Sequence, residues 1–377
     1  MGSRTGILSG AWESPWERIL GRKDTHMNTQ KPSLYGMTLD ELEGILTPLG
    51  QPGFRAVQVF EWMYRHHARR IQEMTNLPAD LRDALEQHWG LDRLAISKAD
   101  ESQDGTKKYL YPVSGHTFVE SAYIPETERK TLCVSTQGGC KMGCLFCMTA
   151  RQGFQTQLTA GQIVAQLEAI PERDEISHLV YMGMGEPLDN TREVIKSIAL
   201  LTHPRGYGIS PRRITVSTIG ILPGIQALMA ETQVNLAVSL HNPFHEQRKQ
   251  IMPIESVYPL RDVLAFLETQ DFSKRKLSFE YIMFDGLNDS PAHAKELVRI
   301  LSRLPCRVNL LHFHPIPQSP MRPCPRETME AFQAILKEKG LMTTIRKSRG
   351  EDIQAACGLL STKELVNQSK TDSDPDY

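Results

Sequence analysis

This chain has few cysteines, almost no net charge and no long hydrophobic run, and each shortage excludes a class of protein. Its seven cysteines among 377 residues are an odd number and too few for a disulfide scaffold. The formal net charge of -1 gives no bulk attraction to nucleic acid, so such a partner would have to be bound by local basic clusters. No apolar run approaches the roughly 18 residues that span a bilayer, so we predict no membrane contact.

The two ends of the chain carry no targeting or folding signal. The N-terminal segment lacks a basic start followed by an apolar stretch and a small-residue cleavage site. We therefore predict a cytoplasmic protein with a disordered leader over residues 1–36, within which Met27 is an alternative start. The polar segment over residues 363–377 is predicted to be a disordered tail.

Helical periodicity predicts a small N-terminal domain over residues 37–95. Its three helices are TLDELEGILTPLG, GFRAVQVFEWMYRHHARR and LPADLRDALEQHW. The second places its basic residues at its C-terminal end, where the helix dipole favours cations. Both an RNA-contacting domain and a packing cap are consistent with this pattern. KKYLYPV and TFVESAYIP alternate in polarity, which predicts a β-hairpin extension over residues 96–130.

Strands alternate with helices from residue 131 onward. The six predicted strands are TLCVSTQ (131–137), ISHLVYM (176–182), RITVSTI (213–219), VNLAVSL (234–240), KLSFEYIM (276–283) and RVNLLHF (307–313). This alternation predicts right-handed βαβ crossovers and a parallel sheet. Six units are too few for a closed eight-unit barrel, so we predict an open or partial α/β barrel over residues 131–362. Ligands of such folds bind at the carboxyl ends of the strands.

Three cysteines in the segment CKMGCLFC carry the strongest chemical signal. Cys140, Cys144 and Cys147 directly follow the first strand, and neighbouring glycines allow a tight loop. Three closely spaced thiolates can bind three irons of a 4Fe–4S cluster and leave the fourth iron free to chelate a small molecule. A structural zinc site that recruits Cys133 or a histidine is the alternative, but zinc sites favour two C-x2-C pairs and the chain has no second pair.

Polar motifs follow the next three strands. GMGEPL offers a flexible backbone and a carboxylate suited to the amino group of a bound amino acid, and STIG and SLH offer groups that can bind ribose or a carboxylate. Each motif alone is consistent with an ordinary loop, but their repetition along one edge of the sheet favours a ligand site. The candidate contacts are Gly185, Glu186, Ser217, Ser239, Leu240 and His241.

C-x3-C-x2-C after the first strand of a six-unit βα array resembles the signature of the radical S-adenosylmethionine superfamily. The resemblance implies a partial (βα)6 barrel with a 4Fe–4S cluster, and S-adenosylmethionine bound to the open iron through its amino and carboxylate groups. It implies that Gly185 and Glu186 contact the methionine moiety. One-electron reduction would then release a 5′-deoxyadenosyl radical.

Two further cysteines narrow the resemblance. Cys133 lies inside TLCVSTQ, and Cys357 lies in RKSRGEDIQAACG, a polar, Gly-containing segment that is not typical of a core. Each alone is more simply a buried small side chain. Together with GMGEPL, STIGI, SLH and the helical segment GFRAVQVFEWMY, they make the chain from about residue 38 to residue 358 similar to the RlmN/Cfr family of ribosomal RNA adenine methyltransferases.

This resemblance implies a mechanism for methylating a ring carbon that is not itself nucleophilic. One S-adenosylmethionine methylates Cys357, and a second forms the radical that removes a hydrogen atom from that methyl group. The methylene radical adds to the adenine, and Glu120 in FVESAYIP matches the carboxylate that removes the ring proton. Cys133 then attacks Cys357, forming a disulfide and releasing methylated RNA. Without the match, Glu120 would be interpreted as an exposed strand residue.

The predicted activity is methylation of adenine position 2 in 23S rRNA, with tRNA as a second candidate substrate. We also predict a monomer that takes electrons from a donor such as flavodoxin or ferredoxin. Methylation at position 8, which confers antibiotic resistance, is the alternative, and GMGEPL favours position 2. A radical enzyme acting on a peptide or small molecule and a zinc-stabilised RNA-binding protein are the other candidates.

The chain departs from the family pattern at two places. His314 stands where the family has an asparagine that contacts the ribose of S-adenosylmethionine, and we retain His314 as a candidate cofactor contact. Leu359 stands where the family has glutamine, two residues after Cys357. These changes bear on substrate and efficiency rather than on reaction type.

Overall fold

The computed structural model describes residues 31–317 and 319–362. They divide into two compact units, the first ending at Asp92 and the second beginning at Arg93. Most of the predicted leader, residues 1–30, and the whole predicted tail lie outside the described residues. None of the described helices is long and apolar enough to cross a membrane.

The first unit is helical, as predicted. Its helices are α1 (Leu39–Leu46), α2 (Phe54–Tyr64) and α3 (Ala79–His88). A capping box between Thr38 and Glu41 starts α1. The leader predicted through residue 36 is too long, because Leu34 is buried and its N–H donates to the Gly90 carbonyl at 2.9 Å. The second helix is shorter than predicted, and the basic segment 65–70 follows it rather than forming its last turn.

The second unit is built on one ten-stranded sheet and a small two-stranded one. The strands are β1 (Lys98–Glu101), β2 (Lys107–Ser114), β3 (Thr117–Pro125), β4 (Lys130–Cys133), β5 (Gln137–Gly138), β6 (Thr156–Gln157), β7 (His178–Tyr181), β8 (Ile214–Thr218), β9 (Asn235–Ser239), β10 (Leu277–Met283), β11 (Cys306–His312) and β12 (Met342–Ile345). The large sheet has the order β1-β2-β3-β4-β7-β8-β9-β10-β11-β12, and β5 pairs with β6.

The large sheet is parallel from β4 to β12 and antiparallel from β1 to β4. The parallel part confirms the predicted partial barrel, since each of the six predicted strands is present. The predicted hairpin is β2 and β3, which continue the same sheet. Sequence patterning missed β1 and β12, because KADE is charged and MTTI is a short, half-exposed edge strand.

Helices connect the parallel strands. They are α4 (Met148–Gln152), α5 (Ala160–Ala169), α6 (Thr191–Thr202), α7 (Leu222–Glu231), α8 (His245–Ile251), α9 (Leu260–Leu267), α10 (Pro291–Leu301) and α11 (Arg326–Glu338). The capping box predicted at the start of α5 is present, with the Gln162 N–H donating to Thr159 Oγ1 at 3.2 Å. The crossovers leave the carboxyl ends of β4 and β7–β11 at one edge, where the candidate site lies.

Candidate active site

The three clustered cysteines occupy the loop between β5 and α4. Cys147 is the N-cap residue of α4, and the Cys140 N–H donates to the Gly153 carbonyl at 3.2 Å. Gly139 has φ +74, and a Cβ atom there would lie 1.7 Å from the Gly153 oxygen. Only glycine fits this close approach, as the sequence pattern predicted for the loop.

The three thiols line one cavity of about 160 Å³. Burial raises the pKa of Cys140 to about 12 and the pKa of Cys144 well above its usual value, and the nearby thiols add to both shifts. These thiols therefore stay protonated until a metal displaces the proton. Among the described residues, no three ligand side chains converge closely enough to hold a single metal ion. A 4Fe–4S cluster needs no such convergence, because its cysteines bind different irons, so the loop fits a cluster.

The carboxyl ends of five strands, β7 to β11, form the other walls of this smaller cavity. The predicted contacts on its wall are Gly185, Glu186, Ser217, Ser239 and His241. Leu240 is not among them. Its side chain is fully buried, and its carbonyl accepts a hydrogen bond from Arg248 Nε at 3.0 Å. The predicted strand edge thus lies at the cavity, whereas Leu240 does not line it.

Glu186 is fixed by backbone donors on both carboxylate oxygens. The Leu188 N–H donates to Oε1 and the Ile219 N–H donates to Oε2, each at 3.0 Å. The Glu186 N–H itself donates to Gln137 Oε1 at 2.8 Å. Burial raises the pKa of Glu186 to about 7, which these hydrogen bonds only partly oppose. Near neutral pH the carboxyl is thus poised between its charged and neutral forms.

His241 is a buried, neutral imidazole in a strained backbone conformation. Its φ is +55, which is uncommon for a residue other than glycine and concentrates at functional sites. Nδ1 accepts a hydrogen bond from the Ile282 N–H at 3.0 Å, so the neutral ring carries its proton on Nε2. Burial lowers the pKa of His241 to about 3, with Arg248 adding to the shift. The side chain is therefore a hydrogen-bond donor on the cavity wall at every physiological pH.

A second, larger cavity of about 400 Å³ adjoins the first. Its basic lining side chains are Arg129, His312, His314, Arg346, Lys347 and Arg349, and Glu126 is an acidic one. Burial lowers the pKa of Arg129, and repulsion from the neighbouring Arg346 guanidinium adds to the shift. An anionic ligand would relieve that repulsion. This lining predicts a polyanionic ligand.

His314 lies on this larger cavity and not on the wall of the smaller one, where the other candidate cofactor contacts lie. Its Nε2 is 2.9 Å from Ser348 Oγ. Burial lowers the pKa of His314, so the ring is neutral at pH 7. A ribose contact stays a prediction for this residue.

Cys357 lies on the wall that the two cavities share, together with Cys147, Arg346 and Gly358. Its side chain is accessible to solvent through the cavities. The protein atoms around the cavities nevertheless raise the pKa of its thiol, and Arg346 opposes that shift. One thiol therefore faces both the cysteine loop and the basic cavity.

The segment that carries Cys357 is held against the helix that follows the cysteine loop. The Met148 N–H donates to the Gly358 carbonyl at 2.8 Å, and Thr149 Oγ1 donates to the Leu360 carbonyl at 2.7 Å. Further along, the Thr362 N–H donates to Gln152 Oε1 at 2.9 Å. The last two contacts join residues that are 211 and 210 positions apart in the sequence.

Cys133 lies in β4 on the wall of the larger cavity, which Cys357 also lines. It packs with Ala122, Val180 and Ala355. Burial raises the pKa of its thiol, and Cys357 adds to the shift. Both cysteines are free thiols in this structure.

Glu120 is not the exposed residue that its strand position alone would suggest. It is 5% exposed and lies outside both cavity walls. Lys108 Nζ lies 3.1 Å from Oε1, and the Ser361 N–H donates to Oε2 at 3.0 Å. Burial raises the pKa of Glu120, while Lys108 lowers it.

Sequence reasoning missed three side chains that the fold brings to this site: Lys108, Thr149 and Arg346. Arg346 begins the segment RKSRGEDIQAACG and Lys108 lies in the predicted strand KKYLYPV, but neither pattern indicated a role for the side chain, and Thr149 lies in no predicted motif. Cys306 and Cys324 line neither cavity.

The partial barrel and the three-cysteine loop define a radical S-adenosylmethionine enzyme. Residues 134–298 match the model of the radical SAM superfamily. Residues 33–90 match the model described as the ribosomal RNA large subunit methyltransferase N-terminal domain.

Known proteins resemble this chain along most of its length. A protein of Bacteroides thetaiotaomicron named "Probable dual-specificity RNA methyltransferase RlmN" is 49% identical over 342 residues, covering 90% of this chain and 99% of that protein. A protein of Bacteroides fragilis with the same name is 50% identical over 341 residues, with the same two coverages. The crystal structure of a radical SAM methyltransferase from Sphaerobacter thermophilus has a TM-score of 0.81 and 39% identity, covering 87% of this chain and 99% of that one. The chain belongs to the RlmN family of radical SAM RNA methyltransferases.

Proposed function

We propose that this enzyme methylates position 2 of an adenine in 23S rRNA, with tRNA as a second substrate, through a methyl group carried on Cys357. The observation that carries the proposal is the placement of Cys357 on the wall shared by two cavities. One cavity holds the cluster cysteines and Glu186, and the other has a basic lining. The printed names of the relatives, which specify a dual-specificity RNA methyltransferase, support the substrate class.

The cluster and two molecules of S-adenosylmethionine per turnover would supply, when bound, the methyl group, the hydrogen-abstracting radical and the acceptor for one returning electron. Cys140, Cys144 and Cys147 would hold the cluster. Glu186 would accept hydrogen bonds from the amino group of S-adenosylmethionine, and His241 would donate from Nε2. The chain itself would hold the Cys357 methyl group between the cavity of the cluster cysteines and the cavity that takes the RNA.

Glu120 and Cys133 would complete the reaction. Once the Cys357 methylene carbon is bonded to the adenine, Glu120 accepts the proton of the methylated ring carbon. The Cys133 thiolate then attacks the Cys357 sulfur, and the bond between that sulfur and the methylene carbon breaks. Its electron pair stays on the carbon, which takes up a proton to become the methyl group, and the resulting disulfide must be reduced by an external thiol before the next turnover.

The target adenine would enter the larger cavity, away from its stacked position in the RNA. Its ring must come within bonding distance of Cys357, which requires the base to be flipped out. Arg129, Arg346 and Lys347 would bind the flanking phosphates. Because Glu120 lies outside both walls, the Ser361 contact must shift for the carboxylate to reach the ring. A monomeric state and a flavodoxin or ferredoxin donor stay predictions.

The decisive experiment is the mass of the Cys357 peptide after the anaerobically purified, cluster-loaded enzyme is incubated with S-adenosylmethionine. We expect one added methyl group on Cys357, none in Cys357→Ala, and normal labelling in the matched control Cys324→Ala. An unmodified Cys357 in cluster-loaded protein would contradict the carrier role and favour a radical enzyme with a non-RNA substrate. Nucleoside analysis of 23S rRNA then distinguishes position 2 from position 8.

A further inference from the structure

Lys108 is a nearly buried cation beside the carboxylate that we propose as the base. Its side chain is 12% exposed, that of Glu120 is 6% exposed, and Nζ lies 3.1 Å from Oε1. A buried ammonium and a buried carboxylate are each costly to remove from water. A buried pair is therefore stable only when both groups have hydrogen-bond partners that replace the lost water. Lys107 and Lys108 both lie in the predicted strand KKYLYPV, and the fold places them on opposite faces of the sheet.

The strand register explains why Lys108 alone reaches the site. Lys108 is opposite Ala122 in the ladder between β2 and β3, and Ala122 is opposite Cys133 in the ladder between β3 and β4. Opposed residues point to the same face, so Lys108, Ala122 and Cys133 form a row across three strands. Glu120 lies two residues before Ala122 and so shares that face. Lys107, on the opposite face, pairs instead with Glu172 at 2.9 Å.

Few other charges face Glu120. Asp100 lies opposite Lys108 on β1 and opposes ionisation of Glu120, but Lys98 Nζ lies 2.9 Å from Asp100 Oδ1. The C-terminal segment contributes the Ser361 N–H to Oε2. Within the described residues, Lys108 is thus the cation whose charge and hydrogen bond favour the ionised form of Glu120.

We propose that Lys108 is a positioning residue that keeps the Glu120 carboxylate ionised and held next to the site, so that proton removal can follow formation of the Cys357–RNA bond. The proposal rests on the proposed function and concerns one step of it. In that step the carbon–hydrogen bond of the ring breaks, its electron pair stays in the ring, and the proton goes to Glu120. Lys108 is neither proton donor nor acceptor.

The geometry predicts a specific failure when the charge is removed. In Lys108→Met, Glu120 keeps its burial and the effect of Asp100 but loses its cation, so the pKa of its carboxyl rises further above the usual value. An opposite charge at this distance is worth about 1–3 pKa units. The covalent protein–RNA adduct should therefore accumulate at pH 7. The pH below which the rate of adduct breakdown falls should be higher than in the wild type by about 1–3 pH units.

The experiment follows adduct breakdown between pH 6 and pH 9. Cluster-loaded enzyme is mixed anaerobically with S-adenosylmethionine, dithionite and unmodified 23S rRNA made by transcription, and the adduct is resolved on a denaturing gel. We expect Lys108→Met to accumulate adduct at pH 7 and to release it at pH 9, and Lys108→Arg to behave nearly as wild type. Glu120→Gln should accumulate adduct at every pH. Lys107→Met is the matched control and should retain the wild-type profile.

Folding is checked by iron content and by Cys357 methylation, and Lys108→Gln is the second neutral variant if Lys108→Met loads cluster poorly. A neutral variant with the wild-type pH profile would overturn the proposal, and so would adduct that fails to break down at high pH. Loss of adduct formation itself would also overturn it, since Lys108 would then act in RNA binding or folding. Absence of Cys357 methylation in the wild type, or of adduct in Cys133→Ala, would instead refute the proposed function and, with it, this inference.

Discussion

The hydroxyl of Thr149 holds the catalytic segment in place, and its removal should loosen that segment selectively. Thr149 is 4% exposed, and its Oγ1 donates to the Leu360 carbonyl at 2.7 Å. Thr149→Val keeps the shape of the side chain but leaves that buried carbonyl without its donor. An unsatisfied buried acceptor costs about 1–3 kcal/mol. Since about 1.4 kcal/mol is a factor of ten, the undocked population of the segment should rise about five- to hundredfold.

Amide hydrogen exchange of the metal-free protein measures this population. The Ser361 and Thr362 amides are protected only while the segment is docked, because they donate to Glu120 and Gln152. Their exchange should accelerate by the factor above in Thr149→Val, while amides in the central strand β10 keep their wild-type rates.

Two variants serve as controls for this prediction. Thr149→Ser keeps the hydroxyl and should restore most of the protection. Thr202→Val removes a similar hydroxyl, which donates to the Ile198 carbonyl at 2.8 Å, from a site away from the segment. Unchanged exchange at Ser361 and Thr362 in a folded Thr149→Val protein would refute the reasoning, because the segment would then be held without this contact.

Three further predictions follow from the site. Binding of S-adenosylmethionine to cluster-loaded enzyme should weaken as the pH falls from 8 to 6, because Glu186, with a pKa of about 7, becomes protonated. Equilibrium dialysis measures this binding, and Glu186→Gln should bind weakly with no such pH dependence. Arg248→Met should lower the free energy of unfolding by about 3–5 kcal/mol in urea denaturation, since it leaves the buried Glu255 carboxylate without its guanidinium partner, with His245 and the Leu260 N–H still beside it. Wild-type stability would show that the pair contributes nothing. Gly139→Ala should fold but retain little iron and sulfide on reconstitution, because its Cβ would overlap the Gly153 carbonyl; full cluster content would contradict the close approach.

Much of the architecture could be predicted because its signals are local. The strands β4 and β7–β11 of the parallel sheet are largely buried, so each appeared as a short apolar run, and these six were predicted. The capping box at Thr159 and the glycine at position 139 were also readable, since each depends on neighbours a few residues away. Edge strands such as β12 were missed because partial exposure removes the hydrophobic pattern.

The sequence by itself determined the three-cysteine loop, the strand-end motifs and, through resemblance, the two reactive cysteines. Only the tertiary structure decided that Cys357 faces two cavities, that Glu120 is buried, and that Lys108 rather than Lys107 is its partner. The physical reason is that these relations depend on strand register and on the docking of the segment that carries Cys357. The docking contacts join residues far apart in sequence, by 241 positions for Ser361–Glu120 and 211 for Thr149–Leu360. A one-residue change of register would exchange the two lysines between faces.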